Sequence, residues 1–103
     1  MPEKGTDIYE IQWNGEKGEK LYGRYVISYP FYSKKLDKIE NVDSNLPHKI
    51  KFTEMKGVSV IAGGSSSGKD PEIKIFRNGK ECGEVGATGS GAGNGKICSH
   101  NHK

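Results

Sequence analysis

The chain has 103 residues, of which 32% are hydrophobic, 28% charged and 15 glycine, so it makes one domain with a thin core and no room for a large enclosed active site. Sixteen Lys and Arg against thirteen Asp and Glu leave a net charge of +3. That charge is spread in mixed-sign clusters such as Glu16 to Lys20 and Lys34 to Lys38, which argues against the concentrated basic face of a nucleic-acid binder.

In chain order, residues 1–7 read as a flexible polar leader. Tyr9, Ile11 and Trp13 then alternate with Glu10 and Gln12, the period-2 pattern of a half-buried strand starting at Ile8 and ended by Asn14-Gly15. Glu16 to Lys20 is turn-like, and Arg24 to Tyr29 is a second strand with Tyr25, Ile27 and Tyr29 on one face, closed by Pro30. In Ser33 to Val42, Leu36, Ile39 and Val42 recur every three residues and fit either an edge strand or a helical turn. A lone helix here would lack a partner, so an edge strand is expected. Asp43-Ser44-Asn45 reads as a turn, Leu46-Pro47 opens a new element, and Ile50 and Phe52 alternate with lysines. Val58, Val60 and Ala62 form a strand expected to hairpin onto the previous one through Met55-Lys56-Gly57. Val58 to Ala62 is also the longest apolar run, far short of the roughly 20 residues of a spanning helix.

Gly63 to Gly68 reads as a Gly-Ser loop, and Glu72 to Phe76 as a strand. Asn78-Gly79 is a strong hairpin signal that returns Glu81 to Ala87 as the partner strand. A short strand over Lys96 to Ser99 follows the segment 86–95, and residues 100–103 form a flexible tail. Seven or eight short strands with turn residues between them predict an all-β antiparallel sandwich over 8–99. Its expected core is Ile11, Trp13, Tyr25, Ile27, Ile50, Phe52, Val58, Val60, Ile73 and Ile75.

Cys82 and Cys98 bracket a stretch in which five of the ten residues 86–95 are Gly. A bridge between them is the favoured reading, since it would staple two strands and suit an oxidising compartment; two reduced thiols are the alternative. Cys98, His100 and His102 alternate, but three ligands on a terminal tail make a poor zinc site, and no metal or cofactor is expected. His48 is isolated. Gly63 to Lys69 has the spacing of a phosphate-binding loop, yet Asp70 stands where a hydroxyl is required and Pro71 blocks the following helix, so nucleotide binding is rejected. Glu10, Asp37, Glu40 and Asp43 are scattered among lysines, and no nucleophile-elbow spacing occurs. No catalytic residue is expected. Among the aromatics, Trp13, Tyr25, Tyr29 and Phe52 suit the interior and leave Tyr22, Phe31 and Tyr32 as the exposed, ligand-binding candidates.

One family pattern is visible in Ile39-Glu40-Asn41-Val42, Leu46-Pro47, the lysine-rich strand ending at Phe52, Gly57 to Ala62, and Ile73 to Lys80. With the two cysteines, these segments resemble the small secreted domain of the MmpS-like family over residues 24–99. The resemblance implies an immunoglobulin-like β-sandwich outside the cytoplasm, extracellular, periplasmic or at the cell surface. It also implies a tether by an N-terminal helix or lipid and a non-catalytic accessory role beside a large exporter. The sequence differs in carrying His48 where Trp is common, a longer glycine-rich stretch from Gly86, and no tether, so membrane contact is expected only through a tether absent from this sequence. The expected function is a binding or accessory module whose strand edges and loops 63–70 and 86–95 meet a protein or envelope component. The alternative is a carbohydrate-binding module using the aromatics of residues 22–32.

Overall fold

Alternation along β1 (Thr6–Asn14) sets the architecture: Asp7, Tyr9, Ile11 and Trp13 are buried while the residues between them are half-exposed, because successive side chains of a strand point to opposite faces. The computed structural model describes residues 5–85 and 95–99. Eight further strand segments follow: β2 (Lys20–Ser28), β3 (Lys38–Asn45), β4 (His48–Met55), β5 (Ser59–Ser66), β6 (Glu72–Arg77), β7 (Lys80–Glu81), β8 (Glu84–Val85) and β9 (Lys96–Cys98). β7 and β8 have two residues each, which accounts for nine segments where seven or eight strands were expected.

The strands form two antiparallel sheets in the orders β4-β1-β6-β7 and β3-β2-β5-β9-β8. β1 pairs with β4 in one layer and β2 with β5 in the other, with β3 outside β2 and β9 outside β5. This is the arrangement of the B, E, C, F, C′ and G strands in an immunoglobulin-like sandwich. One strand departs from that order: the place beside β1, taken by the first strand of an immunoglobulin domain, is filled by β6 from late in the chain.

Seven of the ten expected core residues are buried, namely Ile11, Trp13, Ile27, Val58, Val60, Ile73 and Ile75, whereas Tyr25, Ile50 and Phe52 are only partly buried against them. The partly buried three lie on the side of the sandwich closed by the edge strands β3 and β4. There, Phe52 stacks between Tyr9 and Tyr25 with ring centroids 5.6 Å apart on either side. Tyr9, Leu21, Leu46, Ala62, Pro71, Cys82 and Cys98 are buried as well.

Trp13 is the largest fully buried side chain, and its fit explains why Gly63 to Gly68 is not wholly a loop. β5 continues through Gly63 and Gly64 to Ser66. The Trp13 indole Nε1–H donates to the Gly63 carbonyl at 3.1 Å. A Cβ on Gly64 would lie 3.0 Å from both the Gly23 Cα and the Tyr22 carbonyl oxygen, and 3.3 Å from the indole nitrogen. The glycines are therefore strand residues made small so that the indole of the opposite sheet can approach the backbone.

Other expectations fail for related tertiary reasons. β1 starts at Thr6, ahead of Ile8, because Asp7 is held by Lys56 and Asn78. β2 starts at Lys20, ahead of Arg24, and β3 runs through Asp43-Ser44-Asn45, which pair with Tyr22, Leu21 and Lys20 and do not form a turn. The Val58 strand does not hairpin onto β4. The chain crosses from one sheet to the other at Lys56-Gly57, and β5 pairs with β2.

The Asn78-Gly79 hairpin is present, with φ of 54° and 83° at its two central residues, as a twisted two-residue turn demands. Its return strand is only Lys80–Glu81. Cys82 N–H and Gly83 N–H then both donate to the Ile75 carbonyl, at 2.8 and 3.1 Å, and Glu84–Val85 pair with β9 in the other sheet instead of extending the hairpin. Cys82 and Cys98 are joined by a buried disulfide with Cα atoms 5.2 Å apart, tying the departure point to β9.

Two stability changes follow. Gly64→Ala places its methyl against backbone on two sides and is expected to cost about 1–3 kcal/mol; an unchanged urea midpoint would contradict the glycine notch. Replacing both Cys82 and Cys98 by Ala opens a bridge spanning 16 positions and is expected to cost roughly 3 kcal/mol, read from urea titrations of the oxidised protein and the variant.

Candidate functional site

Among the described residues, the β2–β3 connection and the start of β3 gather most of the exposed large apolar side chains, and the connection is built on a firm base. Just past the end of β2, the Tyr29 hydroxyl donates to the Glu54 carboxylate at 2.7 Å, linking the connection to the opposite sheet. The Lys35 ammonium lies 5.1 Å from the centroid of the same ring. Pro30 enters a single 3-10 turn, Phe31–Ser33, in which Ser33 N–H donates to the Pro30 carbonyl at 2.9 Å and Lys34 N–H to the Phe31 carbonyl at 3.2 Å. Lys34 ends it in the left-handed conformation, φ 59°, and Lys35 N–H donates to the Ser33 hydroxyl.

Gly57 lets this turn lean against the β4–β5 crossing. Its φ is +95°, and a Cβ there would lie 3.0 Å from the Tyr32 hydroxyl and 3.3 Å from the Pro30 ring.

From that base, large apolar side chains project outward. Phe31 is 94% exposed, Leu36 90%, Tyr32 66% and, at the start of β3, Ile39 59%. Phe31 and Tyr32 meet edge to face with centroids 6.2 Å apart. Lys34, Lys35 and Lys38 stand among them against the single acid Asp37. Single exposed apolar residues are ordinary on protein surfaces; four within nine positions, on a chain poor in apolar residues, are not.

Of the three aromatic candidates, Phe31 and Tyr32 are thus brought together and Tyr22 is not. Tyr22 is 55% exposed on the outer face of β2, beside Asp43 and Ser65, with the Lys20 ammonium 5.9 Å from its ring centroid. Six residues of strand, roughly 20 Å, separate it from the end of β2. The three do not form a common platform. Leu36 and Ile39 were read only for their spacing, and the lysines between them and Phe31 were the signal of a surface position.

The remaining candidates have structural partners. His48 is half-buried with its ring 5.9 Å from that of Trp13. At the phosphate-loop-like stretch, the Glu19 carboxylate lies 2.9 Å from where a Cβ of Gly68 would be and accepts from the Ser67 hydroxyl at 2.6 Å, so a carboxylate occupies the region a phosphate would need. Glu10 faces Lys51 on the outside of the four-stranded sheet, while Asp43 pairs with Lys20 on the other sheet; the scattered acids are not assembled. His100, His102 and residues 86–94 lie outside the described residues. Among the described residues no group of three His, Cys, Asp or Glu side chains could hold a metal.

On the outer face of the four-stranded sheet, Ile8, Glu10, Gln12, Lys51, Phe76 and Asn78 line an open depression of about 400 Å³. Its polar groups are already occupied. Gln12 donates to Glu10, and the Asn78 side chain accepts from Ile8 N–H and donates to Asp7. On the outer face of the other sheet, Ile39, Val26, Ile61 and Ile97 stand in cross-strand register. Val26, Ile61 and Ile97 are half-buried by their neighbours and act as cross-strand packing pairs.

Comparison with protein-family models, with curated proteins and with solved structures finds no match to this chain.

Two ionisable groups brace the end of the sandwich that carries the turn. Asp7 is buried, with Lys56 at 3.0 Å and the Asn78 amide at 2.9 Å. Burial pushes its pKa up, but the hydrogen bonds from Asn78 and Lys56 and the charges of Lys56 and Arg77 together hold it below the ordinary 3.8. A depressed folded value contributes stability that is complete above the unfolded pKa and lost as pH falls through the folded one. Asp7→Asn is therefore expected to flatten the acid limb of the stability curve below about pH 4, measured by urea unfolding at stepped pH; an unaltered limb would contradict it.

Burial, then the hydrogen bond to Glu54 and the repulsion from its charge, raise Tyr29 to about 12. A raised tyrosine favours the fold below the unfolded value near 10 and ceases to do so as pH rises through the folded one. Tyr29→Phe is expected to remove one late-ionising phenol from the absorbance titration at 295 nm.

Proposed function

We propose that this chain is a non-catalytic binding module that docks through the β2–β3 turn, residues Phe31, Tyr32, Leu36 and Ile39. One observation carries the reading: in a protein short of apolar side chains, Phe31 and Leu36 are nine-tenths or more exposed on a turn held in shape from beneath. A pre-shaped turn loses little entropy when it docks, which favours binding by a small contact. The disulfide fits an oxidising compartment and supports placing the module outside the cytoplasm. A role as an envelope accessory of the MmpS-like kind belongs to the same proposal, resting on the sequence resemblance and the immunoglobulin-like sandwich.

Because Phe31 and Leu36 are almost wholly exposed and Phe31 meets only the rim of the equally exposed Tyr32, the Phe31→Ser/Leu36→Ser double variant is expected to unfold within about 0.5 kcal/mol of the parent, read by thermal and urea denaturation. Docking is tested by photo-crosslinking in producing cells, with benzoylphenylalanine at position 31 or, as a control, at position 49 on the outer face of β4. Adducts from position 31 and none from position 49 are expected. Equal adducts from both, or none from either, would overturn docking through the turn.

A further inference from the structure

We infer that the partner of this turn is the surface of an anionic phospholipid bilayer, an inference that rests on the docking reading above. Shape and charge both point to it. Phe31 and Leu36 stand almost wholly exposed on a connection of a few residues, whereas a standard protein interface buries about 800 Å² on each partner over a broad matching face. A narrow apolar tip instead suits insertion among headgroups and acyl chains, where Phe, Tyr and Leu leave water without needing a complementary cavity.

The cations sit where such insertion would bring them to the headgroups. Lys34 directly follows the 3-10 turn, Lys35 is folded back over Tyr29, and Lys38 begins β3, opposed within the turn only by Asp37. Lys56 and Arg77 also lie at this end but face Asp7, so among the described residues the pull on anionic lipid falls chiefly to the three lysines of the turn. Polybasic and apolar elements of this size are each weak alone, and together they make a reversible peripheral anchor. Tyr29, tied to Glu54, and Gly57, which receives Tyr32, fix the direction in which the tip points. The sandwich would then stand with the β2–β3 turn and the Lys56-Gly57 crossing toward the membrane and the Leu46-Pro47 end away from it.

The test is co-sedimentation of the oxidised protein with vesicles of phosphatidylcholine alone or with 30% phosphatidylglycerol, at low and high salt. Retention on the anionic vesicles at least about tenfold above the neutral ones, reduced by salt, is expected. Phe31→Ser/Leu36→Ser is expected to lower it at least about tenfold, and Lys34→Gln/Lys35→Gln/Lys38→Gln to bring it to the neutral-vesicle level. Lys49→Gln/Lys51→Gln, elsewhere on the surface, is expected to leave it unchanged, and near-ultraviolet dichroism checks that each variant is folded. Equal retention on both vesicles, no retention, or binding indifferent to the turn variants would overturn the lipid assignment. The position-31 crosslinks, which form to lipid C–H bonds as to protein, separate that failure from failure of the docking reading: a protein adduct without vesicle binding overturns only the lipid surface, and no adduct of either kind overturns both.

Discussion

The seating of one indole governs how the two sheets can meet. Trp13 reaches from the four-stranded sheet to the backbone of β2 and β5, donates its only hydrogen to Gly63, and rests where Gly23 and Gly64 have no side chains. A buried Trp needs both a place for its ring and an acceptor for its N–H; here a run of glycines supplies the first and the strand backbone the second. This contact sets the inward face of β5 and with it the pairing of β5 to β2. In a chain with so few apolar residues, one well-fitted large side chain takes the place of several smaller ones.

How far the sequence was legible follows from the range of the forces involved. Period-2 alternation is local, so β1, β4, β6 and the Asn78-Gly79 hairpin were readable from neighbouring residues, and the two cysteines at the ends of a glycine-rich stretch pointed to their own pairing. What was misread depends on distant partners. Gly63-Gly64 looks like a loop until Trp13 is placed opposite it, and Asp43-Ser44-Asn45 looks like a turn until Lys20 to Tyr22 pair with it. Alternation gives a strand's inner face without giving its layer, and so Val58 to Ala62 was set beside the wrong neighbour. The change of sheet after Glu81 was invisible for the same reason: nothing in Cys82-Gly83 announces that both amides will bond one carbonyl of β6.

The candidate surface was half visible. Aromatic content singles out Phe31 and Tyr32, which lie beyond Pro30 on the β2–β3 connection. The same criterion adds Tyr22, which shares their composition but sits well along β2, and passes over Leu36 and Ile39, whose three-residue spacing fits an edge strand or a helical turn and says nothing of exposure. Composition identifies residues able to bind; only the end of β2, the 3-10 turn and the tie from Tyr29 to Glu54 decide which of them face outward together. The turn thus combines a stiff foundation with exposed apolar surface at Phe31 and Leu36 that the packing of the sandwich does not require.

The claim that the sandwich is locked by Trp13 is tested most directly by hydrogen exchange of its indole Nε1 proton, followed by nuclear magnetic resonance in heavy water. With the indole seated between the sheets, that proton exchanges only when the whole domain opens, and its protection equals that of the slowest amides, those of Ile11 and Val60. Exchange within minutes, while those amides stay protected, would show the indole free of Gly63 and contradict the account.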